Sequence, residues 1–227
     1  MKSTTLQPYW KTLKALLLSF LVAGTAFIMI FTIFLGKKMD IEDPLVGLAG
    51  IVLINLTAFF IARAYLKSGA TPISFQENFG KLFVVQMAIF VPFLVLTDLL
   101  SYWINLPSYT DALFLESFEK NKAIHFLTAV VAAPITEELL FRGVFLNYLM
   151  EHKKKGESIV FTSLLFGLVH ISPDQVFYGF LAGLFLGYTY IRTQNILVPI
   201  FFHALNNALS FLFMSENTDS IIEFFNS

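Results

Sequence analysis

The sequence predicts an all-α fold, a polytopic membrane helix bundle of about seven transmembrane helices, with room for an eighth. Three observations carry that prediction. The 227 residues are 56% hydrophobic and only 14% charged, where soluble domains hold nearer a quarter charged residues. The mean hydropathy is +0.71. Apolar windows long enough to span a bilayer, roughly 17–25 residues, recur along the chain. The 27 Phe residues suit lipid-facing and helix-packing surfaces.

In order, the windows read as Leu13–Leu35, Leu45–Tyr65, Leu82–Ile104, Ile124–Met150, Ile159–His170, Val176–Ile191 and Ile196–Met214. The first follows Lys2, Lys11 and Lys14, as a signal peptide would. Its apolar run is about 20 residues against the usual ~7–15, which makes it an uncleaved anchor. "KSGATPISFQENFGK" (67–81) reads equally as an interfacial amphipathic stretch and as a polar loop. The fifth and sixth windows fall short of the ~20 residues needed to cross. The "SPD" break between them is therefore expected to line a cavity below the surface, where irregular backbone is tolerated. Three parts follow: N-terminal helices at 1–123, a core at 124–214 and a polar tail at 215–227.

Lys and Arg set the orientation. With the N-terminus inside, the inner segments hold Lys2, Lys11, Lys14, Arg63, Lys67, Lys81, Lys153, Lys154, Lys155 and Arg192. The outer ones hold Lys37, Lys38, Lys120 and Lys122. The N-terminus is thus expected in the cytoplasm. A net charge of -1 leaves no nucleic-acid footprint. The absence of cysteine removes disulfides, thiolate metal sites, cysteine nucleophiles and S-acylation.

"AVVAAPITEELLFRGVFLNYLM" (129–150) places two carboxylates and a guanidinium in the middle of the fourth span. Ionisable groups at that depth cost a few kcal/mol each and are usually functional. Glu138 and Arg142 are spaced i,i+4 with the acid first, the favourable order for an ion pair. Glu137 points about 100° further round and has no partner on its own helix, so it is free to accept and return a proton. One structural ion pair needs one acid, and Glu137 is the second. Pro134 cannot donate to the Val130 carbonyl, so a kink or local opening is expected there.

His170 closes "FGLVH" in the fifth span, and His203 and Asn207 share a face of "HALNN" in the seventh. Taken singly, each histidine reads equally as an interhelical hydrogen-bond donor. At 1.5 Å per residue from the inner ends, Glu138 lies ~18 Å deep, His170 ~17 Å, and His203 and Asn207 ~11 and ~17 Å. Packed antiparallel, these helices bring the groups to one level, where hydrolysis by activated water becomes feasible. No G-x-S-x-G elbow, H-E-x-x-H helix or facing aspartate pair occurs in the sequence, which leaves glutamate-activated water, with or without a metal.

"EELLFR" (137–142), "FGLVH" (166–170) and "HALNN" (203–207) resemble the EExxxR, FxxxH and HxxxN motifs of the CAAX prenyl endopeptidase and bacteriocin-processing family (CPBP, also called Abi). The resemblance covers roughly residues 124–214. It implies an intramembrane endopeptidase in which Glu137, helped by His170, activates water. His203 and Asn207 would polarise the scissile carbonyl and stabilise the oxyanion. Glu138 and Arg142 would organise the site. Many members are described as metalloproteases, and Glu137, His170 and His203 have the donor types for Zn2+; the same residues also work without metal. Family members include bacterial proteins linked to bacteriocin immunity, which suggests a bacterial cell membrane. The expected partners are the lipid bilayer and a peptide or membrane-protein substrate. The rival readings are a non-proteolytic immunity or scaffold protein that binds another membrane protein, and a small proton-relay transporter. The latter would show paired repeats.

Overall fold

The computed structural model describes residues 77–105, 122–151, 153–170 and 172–226, together with positions 56, 60 and 63. The span expected at Leu13–Leu35, and all but those three positions of the one at Leu45–Tyr65, lie outside them. Every element among the described residues is helical. α1 is Phe79–Ile104, 26 residues long. It ends on Asn105 in the left-handed region at φ 49°, whose N–H returns to the Ser101 carbonyl, a helix stop that Asn tolerates better than most residues. The outward face of α1 is apolar, with Val84, Val91, Val95 and Leu99 exposed, and Tyr102 and Trp103 stand out at its end. That is the pattern of a lipid-facing helix with an aromatic anchor at the interface. By length and composition, Phe79–Ile104 and Leu197–Glu216 can each cross a membrane.

α2 runs through residues 122–150 and changes width along its length. It is α-helical at Lys122–His125, π-helical at Phe126–Ala132, α-helical at Ala133–Glu138, π-helical at Leu139–Leu146 and α-helical at Asn147–Met150. Pro134 explains the first change. The π register pairs each N–H with the carbonyl five residues back, and the Ala133 N–H closes on Thr128. The next bond would need an N–H at Pro134, which has none. The orphaned carbonyl is therefore Ala129 and not Val130, the group that a regular α-helix would have left over. In the second wide stretch, Asn147 Nδ2 lies 3.1 Å from the Arg142 carbonyl and 2.9 Å from that of Gly143. It is also 2.8 Å from Tyr190 Oη on α4.

α3, Lys155–Leu168, has 14 residues and matches the expectation of a short helix. α4 does not: it runs Pro173–Thr193 and has 21 residues, long enough to cross. Pro173 opens the helix at its first turn, where a missing N–H costs nothing, and the helix continues past Arg192. α3 and α4 pack tightly because glycine lines their contact. A Cβ on Gly167 would stand 2.5 Å from the Val176 carbonyl oxygen, and one on Gly183 would stand 2.8 Å from Ser163 Cα. Gly179, Gly183 and Gly187 recur every fourth residue, a small-residue spacing that lets membrane helices approach.

α5 is Leu197–Asn226, 30 residues, so most of the segment read as a polar tail continues the last helix. Its start is capped by Asn195, whose Oδ1 accepts the Leu197 N–H at 2.9 Å. Two apolar clusters flank the centre of the molecule. Leu140, Phe141, Val144 and Phe166 join α2 to α3. Phe90, Phe185, Leu186, Val198 and Phe202 join α1, α4 and α5. In lipid, leaving water does not drive such contacts; close packing does. The fully buried Phe202 ring packs 5.1 Å from Phe90 and 5.4 Å from Phe185, centroid to centroid, in the tilted and edge-on geometry aromatic pairs favour.

Candidate active site

Between the two clusters lies a cavity of about 340 Å³. His170 from the turn just after α3, Tyr178 from α4, and His203, Asn206 and Asn207 from α5 form its polar wall, and Phe90, Phe166 and Phe202 are among its apolar residues. Asp174, just after the "SP" break, also lines it.

Glu138 and Arg142 are fully buried and form the expected pair, with Arg142 Nη1 2.7 Å from Glu138 Oε1. Arg142 Nη2 also donates to the Gly183 carbonyl at 3.1 Å. The guanidinium carbon sits 4.6 Å from the centre of the Phe166 ring, a cation–π contact of the desolvated kind. The same Glu138 oxygen receives His203 Nδ1 at 2.9 Å. A carboxylate paired with arginine accepts only, so Nδ1 carries the proton. His203 Nε2 is then the ring atom left for other contacts, and it lies 3.9 Å from Glu137 Oε2.

Glu137 keeps 31% of its side chain accessible. Its Oε2 is nevertheless buried and has no hydrogen-bond partner among the described residues. Both His203 and His170 stand within electrostatic reach of it. His170 is fixed by its Nδ1, 2.8 Å from the Phe166 carbonyl; a carbonyl also only accepts, so Nδ1–H donates and Nε2 is again the free atom. Phe166 touches both imidazoles edge-on, at 5.3 Å from His170 and 5.6 Å from His203. Phe166 opens the "FGLVH" stretch, but the sequence gives it no role there; its position four residues before His170 is the signal that could have done so. Asn207 Nδ2 donates to the Ala129 carbonyl at 2.7 Å, the group orphaned by Pro134.

The structure thus brings Glu137, Glu138 and Arg142 from α2, His170 from the turn after α3, and His203 and Asn207 from α5 to one place. Zinc needs three or four donors converging about 2 Å from one point. No trio of His, Asp or Glu among the described residues is so disposed. Glu137, His170 and His203 do not form a metal site as they stand, and no step below is routed through one.

Residues 119–209 match the family model for Type II CAAX prenyl endopeptidase Rce1-like proteins. The chain is also similar to a protein of Bacillus subtilis (strain 168) named "Putative membrane peptidase YdiL", at 27% identity over 97 residues. That match covers 43% of this chain and 40% of the relative. No solved structure matches significantly. The matched region holds all three motifs and every side chain of the cluster. Over residues 119–209, less than half of its length, the chain is similar to the Type II CAAX prenyl endopeptidase Rce1-like family.

Proposed function

We propose that this protein is an intramembrane endopeptidase that hydrolyses a peptide bond of a membrane-associated or peptide substrate by glutamate-activated water. One observation carries the reading: Glu137 Oε2 is buried, unpartnered among the described residues and 3.9 Å from His203 Nε2. That gap is too long for a direct hydrogen bond and is spanned by one water bonded to both. The water oxygen attacks the carbonyl carbon as Glu137 takes its proton. The carbon–nitrogen bond then breaks, and the proton passes to the departing nitrogen, giving a carboxylic acid and an amine. His170 offers Nε2 as an alternative to His203 for accepting the water's second hydrogen. Glu138 and Arg142 hold His203 in its tautomer, as an acid orients the histidine of a hydrolytic triad. Asn207 keeps one amide hydrogen for the oxyanion. With the lysine-rich helix ends in the cytoplasm, the protein sits in a bacterial cell membrane. Purified protein should cleave a quenched-fluorescent library of apolar peptides, and Glu137→Gln should abolish cleavage without unfolding it. Equal cleavage by the two would leave binding of another membrane protein as the function.

A further inference from the structure

Hydrolysis develops negative charge on the carbonyl oxygen, and the site must offer donors to it. The structure limits which groups can serve. Both imidazoles spend their Nδ1–H on other acceptors, His170 on the Phe166 carbonyl and His203 on Glu138. In neutral form each ring therefore presents only a lone pair at Nε2. Arg142 is tied to Glu138 and the Gly183 carbonyl. Asn207 gives one of its two amide hydrogens to Ala129. Of these motif side chains, Asn207 alone lines the cavity with a donor hydrogen to spare, a thin supply for an oxyanion.

The next residue supplies more. Asn206 lines the same cavity as His203 and Asn207. Its Oδ1 accepts the Tyr178 hydroxyl. The acceptor end of the amide is thereby held toward α4. Among the described residues its donor end, Nδ2, has only the Asn207 oxygen at 3.5 Å for a partner, at the outer limit of a hydrogen bond. We propose, resting on the proteolytic reading above, that Asn206 is a further catalytic residue, donating from Nδ2 to the carbonyl oxygen as the tetrahedral oxyanion forms. Tyr178 is the positioning residue that fixes this amide in its donating orientation.

A donor that acts on the oxyanion changes turnover more than substrate affinity. Cleavage is read in detergent-solubilised full-length protein with the same quenched-fluorescent apolar peptide library, followed by kinetics on its best-cleaved member. Asn206→Ala should lower kcat on the order of 10²–10³-fold, with KM changed less than about threefold. Tyr178→Phe, which removes one oxygen and keeps the ring, should lower kcat about tenfold with an unchanged melting temperature. In the Asn206→Ala background, Tyr178→Phe should have no further effect, because both act through one amide. Asn206→Ala activity above about a third of wild type, or independent multiplication of the two losses, overturns the proposal. Should Asn206→Ala fail to fold, Tyr178→Phe decides alone: unchanged kcat overturns the proposal and a loss at unchanged stability supports it. These outcomes count against Asn206 only while wild type cleaves and Glu137→Gln does not. Failure of that control sinks the proteolytic reading itself, and the role for Asn206 with it.

Discussion

His203 Nδ1 sits 2.9 Å from Glu138 Oε1, a contact between residues 65 apart in the chain. It makes one carboxylate oxygen the meeting point of α2 and α5, since Arg142 Nη1 reaches the same atom at 2.7 Å. Glu138 therefore serves folding and chemistry together. It anchors the guanidinium within its own helix and sets the histidine's tautomer across the interface.

Removing the guanidinium leaves Glu138 buried with its charge opposed only by His203. Arg142→Ala should destabilise the protein by on the order of 3 kcal/mol. Glu137→Gln, which alters an acid whose buried oxygen makes no direct hydrogen bond among the described residues, should melt close to wild type. Thermal unfolding in detergent measures both, and equal melting temperatures would mean the two acids have exchanged roles.

Loss of the water-activating groups should be felt in cleavage and not in insertion. Glu137→Gln, His170→Ala and His203→Ala should each lower the rate by roughly 10²–10⁴-fold. Membrane-fraction yield, measured beside the rate, separates chemistry from misfolding. A His170→Ala protein as active as wild type would remove the turn after α3 from the mechanism.

Because Glu137, His170 and His203 do not converge as a metal site, cleavage should persist when purified protein is treated with a strong zinc chelator. Activity lost on chelation and restored by Zn2+ would instead make these side chains ligands that gather around the ion.

The glycine seam should tolerate no side chain. Gly167→Ala and Gly183→Ala each force a methyl group against neighbouring atoms, at about 1–3 kcal/mol for an overpacked contact. Gly80, where an added Cβ would meet nothing within 4 Å, should accept Ala without loss. Melting temperatures of the three variants test the ranking.

Much of this site is legible in the sequence because its signals are local. The i,i+4 spacing announces the Glu138–Arg142 pair, and depth along each helix brings Glu137, His170, His203 and Asn207 to a common level. What stays hidden depends on partners distant in the chain or on helix register. The Glu138–His203 bond joins two helices whose rotation no spacing rule specifies. The π segments shift which carbonyl Pro134 orphans, so a reading at 3.6 residues per turn names Val130 where the structure has Ala129. α4 looks short in a hydropathy window because Asp174 and Arg192 punctuate its ends, although its backbone continues through both. The glycine spacing of α4 is present in the sequence, but its meaning depends on which helix faces it.

The Pro134–Asn207 arrangement has a consequence for epistasis. Asn207 supplies from α5 the donor that Pro134 withholds from Ala129, so the asparagine has two jobs and two amide hydrogens to do them with. Pro134→Ala offers an N–H in the place where the proline had none and relieves Asn207 of the first job. The stability lost in Asn207→Ala, about 1 kcal/mol for the hydrogen bond to the Ala129 carbonyl, should then largely disappear when Pro134→Ala is already present. The cleavage defect should remain. One cycle of four proteins, scored for melting temperature and for rate, would split the residue's effect into a part that a neighbouring backbone can replace and a part that it cannot.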